Sequence, residues 1–202
     1  MNRVEKDYLT LFGISGAIIA FDQWTKWLVR ENIEFGAQWL PEWLSWLSPY
    51  ARIVHWYNSG AAFGMFQNGN LVFTILAFVV IIAIIYYYPR VEMEDWSLKL
   101  AMGLQLGGAA GNLVDRLLVG KVTDFISISV FPVFNVADSS ITIGVIVLLL
   151  GVWIKERSEK RKAAESSSVD SGQLFPTETM SVSSDQLSVD SSQSSNTTGQ
   201  EQ

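Results

Sequence analysis

The stretch GGAAGNLVDRLLVGKVTDF, residues 107–125, sets Asn112, Asp115, Arg116 and Asp124 beside residues apolar enough to enter a bilayer, and FNVADSSI, 134–141, adds Asn135 and Asp138. On insertion scales an Asp or Arg at the centre of a membrane helix costs roughly 2.5–3.5 kcal/mol. Such groups persist where they are paired, hydrated or chemically useful. Asp124 is the most informative of them. Its neighbours Val122, Phe125 and Ile126 are apolar, a setting that raises a carboxyl pKa unless a partner compensates. If Asp124 and Asp138 face each other, they can share one proton. One carboxylate then acts as a base for water and the other as an acid for a carbonyl or leaving amine. This is peptide hydrolysis without serine, cysteine or metal.

The remaining polar residues each allow two readings. Asp22 and Lys26 stand at i, i+4 in the favourable acid-first order, which suits an ion pair inside a bundle as well as the placement of a site. Asn112, Asp115 and Arg116 share a helix face by their spacing, either as a polar lock or as a surface that holds substrate. Asn135 precedes Asp138 by three residues, the pattern of an N-cap with an acidic N3 residue. The chain has no cysteine and one histidine, His55. Disulfides, thiolate nucleophiles and two-His metal sites are thereby excluded. A Ser–His pair would have to be assembled within HWYNS, 55–59. A proton- or ion-coupled carrier also uses intramembrane carboxylates. Against it stand the lack of a visible internal repeat and the clustering of the acids toward one face.

Apolar runs of about 20 residues locate the elements that must carry these groups. Four are found, at 8–29, 71–88, 97–119 and 136–154. The first is expected to be an uncleaved span, because it has no clear small-residue cleavage site and carries charge at its far end. Four spans place both termini on one side. That side holds Arg3, Lys6, Arg90, Lys99 and the basic run after 154, against Lys26, Arg30, Arg52, Arg116 and Lys121 on the other. Both termini are therefore expected in the cytoplasm. The polar residues of the spans then gather at their outer ends, with Asp124 in the outer loop between the third and fourth.

In the long outer loop, 30–70, Trp39, Trp43 and Trp46 recur at helical spacing beside Leu40, Leu44 and Leu47. This predicts a short helix lying in the membrane interface. The following ARIVHWYNSGAAFGMF is expected to be extended, with Gly60 and Ala61 leaving room for another backbone to approach. From residue 163 the chain is serine-rich and acidic, with no Lys or Arg, a composition that predicts disorder. The expected division is thus a transmembrane domain, 1–162, and a cytoplasmic tail, 163–202. The net charge of −6 belongs to that tail and does not point to a nucleic-acid partner.

DQWTK (22–26), NSGAAFG (58–64), GGAAGNLVDR (107–116), VTDFI (122–126) and FNVADSSI (134–141), in this order, resemble lipoprotein signal peptidase (signal peptidase II), the membrane aspartic peptidase family of bacteria. The resemblance covers about residues 8–155. It implies an all-α membrane protein, a four-transmembrane-helix bundle with a small extracytoplasmic β-cradle, in the bacterial cell (inner) membrane with its active site at the outer leaflet. It implies removal of signal peptides from diacylglyceryl-modified prolipoproteins by cleavage just before the lipidated cysteine. Asp124 and Asp138 match the catalytic pair, and Asn58, Asn112, Arg116 and Asn135 match positions that line the site. Asp22, Lys26, Asp115, Gly60 and Ala61 match supporting positions. No cofactor or metal is implied. The partners implied are the prolipoprotein, membrane lipids and globomycin-type peptide inhibitors, with the enzyme a monomer.

Overall fold

The computed structural model describes residues 2–58, 69–92 and 95–172. Helix α1 (Arg3–Asn32) is followed by strands β1 (Gln38–Trp39) and β2 (Ala51–Asn58). Helices α2 (Asn70–Tyr87) and α3 (Trp96–Leu118), strand β3 (Val122–Ile128) and helix α4 (Val136–Gly172) complete the order. The chain divides into two compact units, 1–159 and 160–202, and the sheet and all the acidic residues of the spans belong to the first.

Each helix begins or packs for a readable reason. Asn2 caps α1 by accepting the Glu5 amide at 2.9 Å, while Glu5 accepts the Asn2 amide at 2.9 Å, a reciprocal capping box. Helix α3 lies against α1 through glycines. A Cβ on Gly103 would sit 2.9 Å from Ile14 Cγ2, and one on Gly107 2.7 Å from Ile18 Cβ. On another face of α3, a Cβ on Gly108 would collide with the Ala137 carbonyl of α4. Helices in a bilayer gain little from apolar burial against one another, so close backbone approach through small residues holds them together.

The distribution of polarity is the reverse of a water-soluble protein. Asp22, Lys26, Thr123 and Asn135 are wholly buried, whereas Phe12 and Trp24 of α1, Leu71 and Ile82 of α2, and Leu149 and Ile154 of α4 are half or more exposed. An exposed apolar surface this extensive needs an apolar surrounding. Two stretches, Asn70–Arg90 and Val136–Lys162, are long and apolar enough to cross a bilayer. Helices α1 and α3 have comparable length but carry the charged residues, which lowers their apolarity.

The three strands form one antiparallel sheet in the order β1-β2-β3. Two pairings set the surroundings of Asp124. Trp56 lies opposite it and Asn58 opposite Val122, and between Ile53 and Trp56 the register slips by a bulge or similar irregularity. Beyond β3, Phe134 returns to bridge Ile126, which brings the start of α4 beside the strand.

The structure corrects three expectations. Asp124 does not lie in a loop but within β3, a strand buried on both faces over its first four residues. The tryptophans do not share one helix. Trp39 pairs in β1, Pro41 interrupts the run, and only Trp43 and Trp46 lie in the 3-10 helix Glu42–Leu47. Helix α4 also runs on to Gly172, past the point where composition suggested the tail begins. Ala163, Ala164 and Glu165 are good helix formers, which accounts for the extension.

Candidate active site

Asp124 comes from β3 and Asp138 from the first turn of α4, and both line one cleft of about 670 Å³. Asn58 from the end of β2, Asn112 and Arg116 from α3 and Phe73 from α2 line it too. The apolar wall is built by Phe131, Val133, Phe134 and Ile143.

All four oxygens of the two carboxyl groups receive a donor. Asn135 Nδ2 donates to Asp124 Oδ1 at 2.7 Å, and Asn58 Nδ2 donates to Asp124 Oδ2 at 3.0 Å. Asn112 Nδ2 donates to Asp138 Oδ1 at 2.8 Å, and the Asn135 amide donates to Asp138 Oδ2 at 3.2 Å. The Asp138 amide in turn donates to Asn135 Oδ1 at 3.0 Å, closing the capping box anticipated at this helix start.

The orientation of the carboxamides follows from their other partners. Lys26 Nζ, which can only donate, lies 3.0 Å from Asn112 Oδ1, so the amide nitrogen must turn toward Asp138. Lys26 is itself held 2.8 Å from Asp22 and 3.3 Å from Asp115. Asp22 Oδ1 accepts the Ala137 amide at 2.9 Å, and Asp115 Oδ2 accepts the Thr123 amide at 2.9 Å. The ion pair between Asp22 and Lys26 therefore exists, and it also reaches the residues directly before each aspartate. A Cβ on Gly111 would stand 2.8 Å from Asp22 Oδ2, so glycine there leaves room for the cluster.

Opposed effects act on Asp124. Burial pushes its carboxyl up to about 7 and the charge of Asp138 adds to this, while the Asn58 and Asn135 hydrogen bonds and Lys26 pull it down. A carboxyl that keeps its proton near neutrality can serve as an acid. Asp138 stands in the first turn of α4.

Arg116 lines the cleft with its guanidinium 5.8 Å from the Phe73 ring centre. Gly60 and Ala61, like Ser59, lie outside the described residues. His55 is elsewhere. Its Nδ1 is 2.7 Å from the Ile33 carbonyl and its ring packs against Phe35 and Tyr57. Among the described residues no group of three or more His, Asp or Glu side chains is placed to hold a metal ion.

Three contributors escaped the sequence reading. Gln23 Nε2 donates to Asp22 Oδ2, the Gly111 carbonyl and Asp115 Oδ1. Arg30 donates to Thr123 Oγ1 at 3.0 Å and pairs with Asp115 at 3.4 Å. Thr123 is fully buried beside Asp124. The spacing of Asp22, Lys26 and Arg30, each four residues from the next, is the signal that could have drawn Arg30 in.

A polar cluster buried beneath an apolar exterior, with two hydrogen-bonded carboxyl groups opening into an apolar cleft, is the arrangement of a membrane protein with a polar site. Residues 14–154 match the family model described as Signal peptidase (SPase) II. The lipoprotein signal peptidase of Shouchella clausii is 42% identical over 148 residues, covering 71% of this chain and 93% of that protein. That of Bacillus subtilis is 38% identical over 149 residues, covering 72% and 94%. A solved bacterial membrane enzyme, determined by the in meso method, superposes with a TM-score of 0.66 at 32% identity over 75% of this chain and 91% of its own. A second gives 0.62 at 31% identity, over 71% and 92%. The chain belongs to the signal peptidase II family. These relatives lend no support to the carrier alternative.

Proposed function

We propose that this chain is a membrane aspartic endopeptidase that removes signal peptides from diacylglyceryl-modified prolipoproteins by cutting before the lipidated cysteine. The observation that carries the reading is the pairing of Asp124 and Asp138 in one cleft with every carboxyl oxygen held by a donor. The pair holds one proton in the resting state and titrates as a unit. Asp138, as the carboxylate of the pair, takes a proton from water as the water oxygen attacks the peptide carbonyl carbon. Asp124 gives its proton to the carbonyl oxygen. Collapse of the tetrahedral intermediate then breaks the C–N bond, a proton passes to the leaving amine, and one proton remains on the pair. Arg116 and Asn58 orient the peptide backbone. No metal or cofactor takes part.

All four helices cross the membrane, both termini are cytoplasmic, and the sheet rests on the outer leaflet. The site then stands at the level where a lipid-modified peptide arrives sideways from the bilayer, and the apolar wall of the cleft suits a substrate carrying acyl chains. Cyclic peptides of the globomycin type inhibit by occupying the pair. The enzyme works as a monomer, and residues 163–202 form a cytoplasmic tail without a part in catalysis.

The test is a gel-shift assay of a diacylglyceryl-modified prolipoprotein with wild type, Asp124→Asn and Asp138→Asn in detergent. Wild type is expected to release the signal peptide while both folded variants leave the substrate intact. Cleavage by either variant at the wild-type rate would overturn the assignment.

A further inference from the structure

Two cations stand one turn apart near the C-terminal end of α1, and they serve different aspartates. Lys26 orients Asn112 from 3.0 Å, and Asn112 donates to Asp138. Arg30, four residues on and in the last turn of the helix, reaches the other member of the pair through the strand. Its Nη1 donates to Thr123 Oγ1 at 3.0 Å and stands 3.4 Å from Asp115 Oδ1. Asp115 in turn accepts the Thr123 amide on Oδ2 at 2.9 Å. The third polar group of Thr123, its carbonyl, accepts from Asn135 Nδ2 at 3.4 Å. The residue directly before Asp124 is wholly buried and held from α1, from α3 and from the start of α4. A guanidinium suits this place, because it carries several donors on one rigid, permanently charged head.

Charge gives the same contacts a second role. Asp22 and Asp115 are both buried against Lys26, and one cation cannot balance two carboxylates. A buried charge left without a partner is costly. Arg30, with its side chain 23% exposed, supplies the second positive charge and links the cluster to the surface. Its removal leaves a net negative charge beside β3. Of the charged groups around Asp124, Asp138 comes from α4, Arg116 and Asp115 from α3 and Lys26 from α1, while β2 contributes the neutral Asn58. Uncovering the charge of Asp115 makes the pair hold its proton more tightly, because a nearby negative charge favours the protonated carboxyl.

We propose that Arg30 is a positioning residue of the aspartate pair, bracing Asp124 through Thr123 and Asp115 and supplying the second cation that the carboxylates behind it require. The proposal rests on the peptidase reading and deepens it. Successive turns of α1 then divide the work, Lys26 setting the surroundings of Asp138 and Arg30 those of Asp124.

The test compares Arg30→Met, Arg30→Lys and Thr123→Val with wild type in detergent. Cleavage of a diacylglyceryl-modified prolipoprotein is followed from pH 5 to 9, with kcat separated from KM. Arg30 takes no part in lining the cleft among the described residues, so KM should stay within about twofold of wild type. Arg30→Met is expected to lose about tenfold in kcat, as a displaced acid should. Its alkaline limb should move up by about half a pH unit or more. Arg30→Lys keeps the charge, so its limb should stand at the wild-type position while kcat recovers only in part. Thr123→Val removes the held hydroxyl alone and should lower kcat with the limb in place. A folded Arg30→Met with the wild-type limb, or with its loss confined to KM, would overturn the inference and leave the peptidase intact. If Arg30→Met does not fold, the other two variants decide, and wild-type kcat in both overturns it. Failure of wild type to cleave would remove the peptidase reading, and this inference with it.

Discussion

Replacing Asp124 by asparagine is expected to abolish cleavage and yet to stabilise the folded protein in alkaline solution relative to acid. Burial holds the Asp124 carboxyl at about 7, against 3.8 for the ordinary side chain. Between those values the folded protein keeps a proton that the unfolded chain has released. Its stability therefore falls as pH rises, by at most about 1.4 kcal/mol per pH unit. Across the window this amounts to ~4 kcal/mol, complete above pH 7 and absent below about pH 4. Asparagine does not titrate, but it carries a fixed penalty. Asn58 and Asn135 both donate to Asp124, and asparagine offers one acceptor oxygen where the carboxylate offers two. One donor loses its partner, at ~1–3 kcal/mol irrespective of pH. The variant should be the less stable protein near pH 4 and the more stable one near pH 8. At ~2–4 °C per kcal/mol for a chain of this size, the Tm difference should swing by on the order of 10 °C. Scanning fluorimetry on the eight tryptophans in detergent, from pH 4 to 8.5, reads it directly. A Tm difference that stays constant over that range would refute the reasoning.

Asn58→Ala removes a donor that favours the charged form of Asp124. The alkaline limb of the pH–rate profile should therefore move to higher pH, in a prolipoprotein cleavage assay that also shows a lower maximum. Lys26→Met leaves Asp22 buried without its cation and Asp115 with Arg30 alone. The expected cost is ~3–5 kcal/mol in denaturant titration, as for other broken buried pairs, together with lost cleavage as Asn112 is freed to turn. Gly108→Val drives a side chain into the Ala137 carbonyl and Ser140. It should cost ~1–3 kcal/mol from overpacking and, by displacing the start of α4, reduce cleavage more than a stability loss of that size explains. Truncation after residue 162 should leave the cleavage rate unchanged.

The helices were legible because their apolar runs are long. The expected 71–88 and 97–119 became Asn70–Tyr87 and Trp96–Leu118. The capping box at Asn135 and Asp138 was legible for a local reason, three residues of separation. The strand holding Asp124 was not, because its residues are buried on both faces and so lack the alternation that betrays a half-buried strand. The tryptophan spacing misled because Pro41 breaks the run that the pattern implied. Topology gathered Asp124 and Asp138 at one face, and their pairing was what the family resemblance implied. The orienting of Asn112 by Lys26, 86 residues away, leaves no mark in spacing at all.

The slip of register in β2 between Ile53 and Trp56 has a consequence for how this arm can vary. Side chains on a strand alternate between faces, so the count of residues through the irregular segment decides which way Asn58 points. Deleting one residue there would carry Asn58 to the opposite face and strip Asp124 Oδ2 of its donor. Exchanging the bulky exposed Trp56 for another large residue would leave that count intact. The arm should therefore tolerate changes of identity far better than changes of length, so a library of single-codon deletions through 52–57 should be depleted where a substitution library is not.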